Sequence, residues 1–305
     1  VTPAPMWIAE LGRVTDMENI RGSALMVLAM AGFALEDTFI KFLSADLVVG
    51  QILFMMGIGG ALVFGTFSLA KGDRLFSRDF FMTPVLLRNL GEMIAAFGYI
   101  TALTLIPLSS VAAIIQATPL CVTLGAALFM GEQVGWRRWS AIVVGFIGVL
   151  LIIRPGLEGF QPASIFAVIG VAGLALRDLS TRGTPATVTS MQISCYAFAM
   201  VILIGAVLLF IDGGAVQPST KNWIQLGFML LFSVVGYYAI VAAMRIGDVS
   251  SIMPFRYSRL LFSLIIGISI FGERPDWLTY TGAALIIGSG LYSILRERRL
   301  MRQVA

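Results

Sequence analysis

The sequence predicts an all-α integral membrane protein: ten transmembrane helices in two inverted five-helix repeats, with both termini cytoplasmic. Three observations carry that prediction: the composition, the number of long apolar runs, and a repeat at one fixed offset. Of 305 residues, 58% are apolar and 12% are charged, whereas soluble domains carry about 25% charged residues. So few charges do not solvate a globule of this size. The composition excludes disorder, collagen and a disulfide-stapled secreted domain. The chain has no histidine, which removes His-based metal sites, nucleophile activation and proton relays. Cys121 and Cys195 lie in separate apolar runs and suggest neither a disulfide framework nor a metal pair. The basic residues are scattered between apolar runs, so nucleic acid is not an expected partner. No cofactor, metal site or catalytic residue is expected.

Each element follows from the thickness of a bilayer, which a helix of about 20 apolar residues crosses. Residues 1–20 form no apolar helix and are expected to be a disordered cytoplasmic tail, with Met17 a candidate initiator. The first repeat spans 21–154, with apolar runs at 22–42, 48–69, 81–105, 109–130 and 136–153. After Arg154-Pro155-Gly156, the second repeat spans 162–295, with runs at 162–179, 187–211, 222–244, 250–271 and 277–295. Residues 296–305 read as a basic cytoplasmic tail. Turn formers punctuate the connections, as in Lys71-Gly72-Asp73, Gly183-Thr184-Pro185 and Asp212-Gly213-Gly214. With the N-terminus inside, thirteen Lys and Arg fall on the cytoplasmic side and four outside, the bias that sets orientation. Residues 21–45 also resemble a signal peptide, but their match to the sixth run argues for retention.

The repeat has an offset of 141 residues. Ala31-Gly32-Phe33-Ala34-Leu35-Glu36-Asp37 matches Ala172-Gly173-Leu174-Ala175-Leu176-Arg177-Asp178. At the same offset Gln51-Ile52 matches Gln192-Ile193, Ser109-Ser110-Val111 matches Ser250-Ser251-Ile252, and Gly131-Glu132 matches Gly272-Glu273. Five spans per copy insert the second copy from the opposite side. Inverted repeats of this kind are the signature of secondary transporters, with the substrate site near the midplane between the halves.

Charges inside the runs point to that site. Each costs about 2.5–3.5 kcal/mol at a helix centre on insertion scales. Glu36 and Asp37 lie in the first run, Arg88 and Glu92 in the third, Arg177 and Asp178 in the sixth, Arg256 and Arg259 in the ninth. Arg88 and Glu92 are spaced to pair along one helix face. Glu36 and Arg177, opposite charges at one repeat position, are expected to pair across the halves. Asp178 has Arg182 four residues on, and Glu36 and Asp37 have Lys41 near. Pro254 weakens the ninth helix, and Arg256 and Arg259 follow it on roughly one side. They replace Ile115 and Thr118 of the first copy, an asymmetry that favours contact with substrate or gate. Two guanidiniums attract carboxylate or phosphate, and satisfying the nearby carboxylates is the alternative. Tyr257, Gln116, Tyr99 and Tyr238 are expected beside them as substrate contacts. Glu36, Asp37, Arg88, Glu92, Arg177 and Asp178 are the gate or proton-coupling candidates. Glu132 and Glu273 read as caps of the helices that follow them. Gly57-Ile58-Gly59-Gly60 reads as close helix packing, and Trp136, Trp223 and Trp277 as interface anchors.

Further motifs are Tyr99-Ile100-Thr101-Ala102-Leu103, Pro107-Leu108-Ser109-Ser110-Val111, Pro119-Leu120 and Phe129-Met130-Gly131-Glu132. The second half has Ala242-Ala243-Met244, Pro254-Phe255-Arg256-Tyr257 and Phe271-Gly272-Glu273-Arg274-Pro275. With the ten runs, these resemble the drug/metabolite transporter superfamily, EamA type, over about residues 22 to 295. The resemblance implies cytoplasmic termini, a central cavity and alternating access. Leu260 stands where the first half has Pro119, so the halves are not expected to bend alike. The expected function is secondary transport of a small polar metabolite, anionic or zwitterionic, across the cell inner membrane, with protons as a possible coupling partner. A non-transporting membrane scaffold or sensor is the alternative, and an intramembrane lipid-modifying enzyme a more distant one.

Overall fold

The computed structural model describes residues 16–72, 78–131, 135–157, 159–185, 187–246 and 252–304. Among them there is no β-strand. The helices are α1 (Asp16–Leu43), α2 (Val49–Ala70), α3 (Thr83–Leu105), α4 (Leu108–Ile115), α5 (Thr118–Phe129) and α6 (Trp136–Ile153). They continue with α7 (Ser164–Thr181), α8 (Ser190–Ile211), α9 (Thr220–Ile246), α10 (Ser258–Ser269) and α11 (Trp277–Val304). A 3-10 turn, Met253–Tyr257, leads into α10. The tail expected at residues 1–20 lies mostly outside the described residues, but α1 already begins at Asp16. At the other end, α11 runs on through the basic segment.

Eight helical stretches are long and apolar enough to cross a membrane: α1, α2, α4 with α5, α6, α7, α8, α9 and α11. The other two runs differ for physical reasons. The helix α3 has 23 residues, but Arg88, Asn89 and Glu92 dilute its apolarity. The ninth run is divided between a 3-10 turn and the 12-residue α10. Each of the eight leaves half or more of its apolar stretch exposed. Leu62 is 63% exposed, Phe129 86% and Phe210 89%. Such surface is stable in hydrocarbon, where helices satisfy their own backbone.

The principal packed pairs are α1 with α9, α2 with α8, α3 with α7, and α6 with α11. Every pair joins one half of the sequence to the other. Small residues allow the close approach. A Cβ on Gly91 would lie 2.6 Å from the Arg177 backbone nitrogen, and one on Gly57 2.7 Å from that of Ile202. At the same repeat offset, Gly173 meets Ala95 in α3–α7 while Gly32 meets Gly236 in α1–α9. Gly131 (φ 68°) and Gly272 (φ 62°) follow the ends of α5 and α10 in the left-handed conformation, which explains glycine in both Gly-Glu motifs. The short α4 is the most enclosed element: Leu108, Val111, Ala113 and Ile114 are all fully buried. Trp136 and Trp277 begin α6 and α11 and are over 70% exposed, as interface anchors would be.

Candidate functional site

Two runs break at one repeat position. The fourth is interrupted at Gln116-Ala117, between α4 and α5, and the ninth passes from 3-10 turn to α-helix at Ser258. Residue 258 less 141 is 117. The halves therefore do interrupt alike, contrary to the expectation from Leu260. The devices differ: Pro119 occupies the first turn of α5, where a missing N–H is harmless, and Pro254 opens the 3-10 turn. The breaks touch, since Gln116 Nε2 donates to the Arg256 carbonyl at 3.3 Å.

At this junction Arg259 reaches α1. Its Nη2 donates to Asp37 Oδ2 at 2.7 Å and Oδ1 at 2.9 Å, and its Nε to Oδ2 at 3.2 Å. Nη2 also donates to the Tyr99 hydroxyl at 2.6 Å, and that hydroxyl bonds Asp37 in turn. The guanidinium lies 5.2 Å from the Tyr99 ring centroid and 5.4 Å from that of Phe33. Asp37 is 1% exposed. Burying so complete a charge pair is tolerable because each lone pair has a donor. Asp37 is thus paired with Arg259, not with Lys41.

Arg256 is different. Its Nη1 has the Met253 sulfur at 3.9 Å, and no carboxylate lies within ion-pair distance among the described residues. Asp178 is the strongest attractive charge acting on it.

A second cluster joins α3 to α7. Arg177 holds Asp178 at 2.8 Å and Glu92 at 3.6 Å, and Glu92 reaches Arg88 at 3.8 Å. Arg88 also donates to the Ile193 carbonyl of α8 at 3.2 Å. The expected pairing of Glu36 with Arg177 does not form. Each instead takes the partner at the other's repeat position: Arg177 has Glu92, and Glu36 has Ser233, which stands 141 residues after Glu92. Each lies on a helix packed against its own partner helix, so the two do not face one another. Asp178 likewise takes Arg177 and not the expected Arg182 as its partner in the printed geometry.

Two of the expected substrate contacts point elsewhere. Tyr257 is buried with its hydroxyl against Gly290 of α11, where it finds no hydrogen-bond partner. Tyr238 is 69% exposed, while its neighbour Tyr237 turns inward and bonds Ser194 and the Ser190 carbonyl. Phe33 and Ser233 were not anticipated. Phe33 is four residues before Asp37 and so shares its face, a signal that helical spacing holds.

Glu273 corrects a further expectation. It caps α4, in the other half, rather than the helix that follows it. Its carboxylate accepts from Leu108 N at 2.6 Å, Ser109 N at 3.0 Å and Ser109 Oγ at 2.6 Å, with Lys41 Nζ at 3.7 Å. Glycine at 272 and the bond from Glu273 N to the Gly267 carbonyl fold the side chain back toward α10. Glu132, its repeat equivalent, lies outside the described residues. Beside this clasp is a cavity of about 230 Å³ lined by Ser109, Arg154, Gln161, Glu273, Arg274 and Asp276 among others. In its wall Asp276 accepts from Arg154 and from Thr279 N at 3.0 Å. Burial alone would raise the Asp276 carboxyl, but hydrogen bonds from Arg154 and Thr279 with the Arg154 charge outweigh it and hold the pKa below its ordinary value.

A chain of spanning helices with charges gathered at paired helix breaks is matched by one family model. The description "EamA-like transporter family" fits residues 20–154 and again 161–295. The chain belongs to this family. Like other EamA proteins it is a multi-pass protein of the inner membrane. It is 24% identical over 285 residues to an S-adenosylmethionine uptake transporter of Rickettsia bellii, covering 92% of this chain and 95% of that one. It is 26% identical over 298 residues to a riboflavin transporter of Rhizobium johnstonii, covering 96% and 97%. A pseudopaline exporter of Pseudomonas aeruginosa is 26% identical over 275 residues, covering 87% and 93%. A solved crystal structure superposes with a TM-score of 0.59 at 19% identity, over 93% of this chain and 98% of that one; at that identity it speaks to the EamA fold alone. Family and relatives together make this chain a small-metabolite transporter.

Proposed function

We propose that this EamA protein is a secondary active transporter that moves a small polar organic metabolite, anionic or zwitterionic, by alternating access between two oppositely inserted five-helix halves with cytoplasmic termini. The observation that carries this reading is the gathering of Arg256, Arg259, Asp37, Tyr99 and Gln116 where two interrupted helices meet. Interrupted helices free backbone groups at membrane depth, which is tolerated where they line a cavity or lie within protein. Packing in which every principal helix pair joins the halves supports a two-fold relation between them. In this reading Arg256 holds the anionic group of the substrate, and Gln116 sets the position of Arg256 through its carbonyl. The Asp37–Arg259–Tyr99 unit forms the floor. Glu36 and the Arg88–Glu92–Arg177–Asp178 cluster are the groups that a gate or proton step would use. The clasp of Glu273 on Ser109 and Lys41 holds the halves together at the other end, as one closed side of an alternating cycle requires.

The test is uptake into proteoliposomes by purified protein, with labelled S-adenosylmethionine, riboflavin, amino acids and organic acids as probes. At least one is expected to accumulate, and Arg256→Ala is expected to abolish that uptake while the protein still purifies as a monodisperse species. Unchanged uptake by Arg256→Ala removes the arginine site. Labelling that puts the two termini on opposite sides of the bilayer removes the inverted halves.

A further inference from the structure

The eight charges inside the runs divide into two groups of opposite sign. Around Arg256, electrostatic partners are Asp178, Arg177 and Arg259. Arg88 joins this neighbourhood through Glu92, Arg177 and Asp178. Three guanidiniums there, those of Arg88, Arg177 and Arg256, face the two carboxylates of Glu92 and Asp178, an excess of one positive charge. Around Glu36, the partners are Asp37, Ser233 and Arg259. Two carboxylates there face the single guanidinium of Arg259, an excess of one negative charge.

Ion pairing shows which side chains carry each excess. Asp37 takes Arg259 in a bidentate pair. Arg177 takes Asp178 and Glu92, and Glu92 takes Arg88. Two charges then have no ion-pair partner among the described residues: the Glu36 carboxylate, with Ser233 beside it, and the Arg256 guanidinium, with the Met253 sulfur beside it. They do not neutralise each other, since no ion pair within 4.0 Å joins them. Both lie within electrostatic reach of Arg259, one on each side of the Asp37–Arg259 pair. Both are half-buried rather than sealed. An uncompensated charge in a low-dielectric interior is unfavourable, and two of opposite sign are relieved together by one ligand carrying both.

We propose that the substrate is a zwitterion that places an ammonium group against Glu36 and a carboxylate against Arg256, with the Asp37–Arg259–Tyr99 unit as a neutral floor between them. This deepens the transporter reading and rests on it. A purely anionic substrate would leave Glu36 facing a like charge. A purely cationic one would do the same at Arg256. Discrimination against single-charge analogues is built from repulsion as well as attraction.

Matched triplets test this: methionine, phenylalanine and glutamine, each with the amine left by removing the carboxylate and the acid left by removing the amino group. Thermal shift of the purified protein reads binding, and proteoliposome uptake reads transport. At least one parent amino acid is expected to bind at least tenfold more tightly than both of its single-charge analogues. Arg256→Gln is expected to weaken that parent at least tenfold and to erase its advantage over the amine. Glu36→Gln is expected to do the same relative to the acid. Arg256→Lys and Glu36→Asp, which keep the charges, are expected to restore part of the binding and so separate charge recognition from misfolding. Equal binding of parent and single-charge analogues overturns the proposal. So does the absence of binding by all nine compounds, or parent binding untouched by both neutral variants. Uptake of a single-charge or uncharged compound in preference to the parents leaves the transporter reading in place and removes this one. Binding of a parent with the expected variant effects, but with no uptake of any compound, does the reverse.

Discussion

Asp37 and Asp178 occupy one repeat position, yet their surroundings have diverged. Asp37 is sealed at 1% exposure and bound by Arg259 from the opposite half and by Tyr99. Asp178 is half-buried and bound by Arg177, its neighbour on the same helix. The reason lies 141 residues from Arg259, where Thr118 stands and bonds only the Ile115 carbonyl. With no guanidinium arriving across the halves, Asp178 takes the nearest one. Glu36 and Arg177 show the same divergence, one beside Ser233 and the other beside Glu92. Duplication supplied two copies of one helix framework. Substitution at the breaks then made one aspartate a structural tie between halves and left the other near the unpaired Arg256.

The largest expected effect tests whether the two aspartates differ in energy as they do in geometry. Asp37→Ala leaves the Arg259 charge buried and is expected to lower stability by about 3–5 kcal/mol. Asp178→Ala, at a side chain 30% exposed, is expected to cost about 1 kcal/mol or less. Thermal unfolding of the two variants in detergent makes the comparison, and equal losses would erase it. The pair Asp37→Asn with Arg259→Gln is expected to recover much of the Asp37→Ala loss.

The next prediction compares the two equivalent helix pairs. Gly91→Ala would put a methyl 2.6 Å from the α7 backbone, and overpacking of this kind costs about 1–3 kcal/mol. In α1–α9, Gly236→Ala meets first the Phe33 ring at 3.0 Å, which can shift, so a smaller loss is expected. The same unfolding assay ranks them, and the reverse order would show that α1–α9 is the tighter body.

At the clasp, Glu273→Gln removes a charge-assisted cap from α4 together with the Lys41 partner. It is expected to cost about 1–2 kcal/mol and to raise maleimide reactivity of a cysteine placed at Ser110. Unchanged labelling would show that the clasp does not hold that end shut.

The smallest effect concerns Asp276, at the outer end of α11 by the sequence-based orientation. Its folded pKa is depressed, so the stability it contributes is present above the unfolded carboxylate value of about 3.9 and is lost as pH falls through the lower folded one. The carboxylate is 42% exposed, which limits the contribution to about 1 kcal/mol or less. Asp276→Asn is expected to lower the melting temperature slightly at pH 7, with the difference from the parent protein shrinking in acid. A difference that grows in acid would reverse the sign.

Much of the site was legible as residue identity but not as pairing. Arg256, Arg259, Asp37 and Gln116 stand out in the sequence because charge and amide inside apolar runs are unfavourable. Their connections did not follow from spacing. Arg88 with Glu92 is local and four residues apart, so helical periodicity delivers it. Arg259 with Asp37 and Glu273 with Ser109 span 222 and 164 residues, and nothing in one helix's periodicity says which face another helix meets. Tyr257 and Tyr238 were placed by adjacency in sequence, and rotation of about 100° per residue carried them to other surfaces.

By itself the sequence determined the helical membrane class and the 141-residue repeat. Those follow from composition, run length and register, which are local or periodic and need no knowledge of neighbours. Only the tertiary structure decided that α3 with α7 and α1 with α9 form the equivalent pairs, that Asp37 is neutralised, and that Arg256 and Glu36 are left over. Those outcomes depend on which helix faces meet and how closely glycines let them approach. In hydrocarbon that choice is made by packing and interhelical polar contacts, because the apolar faces are solvated equally well by lipid.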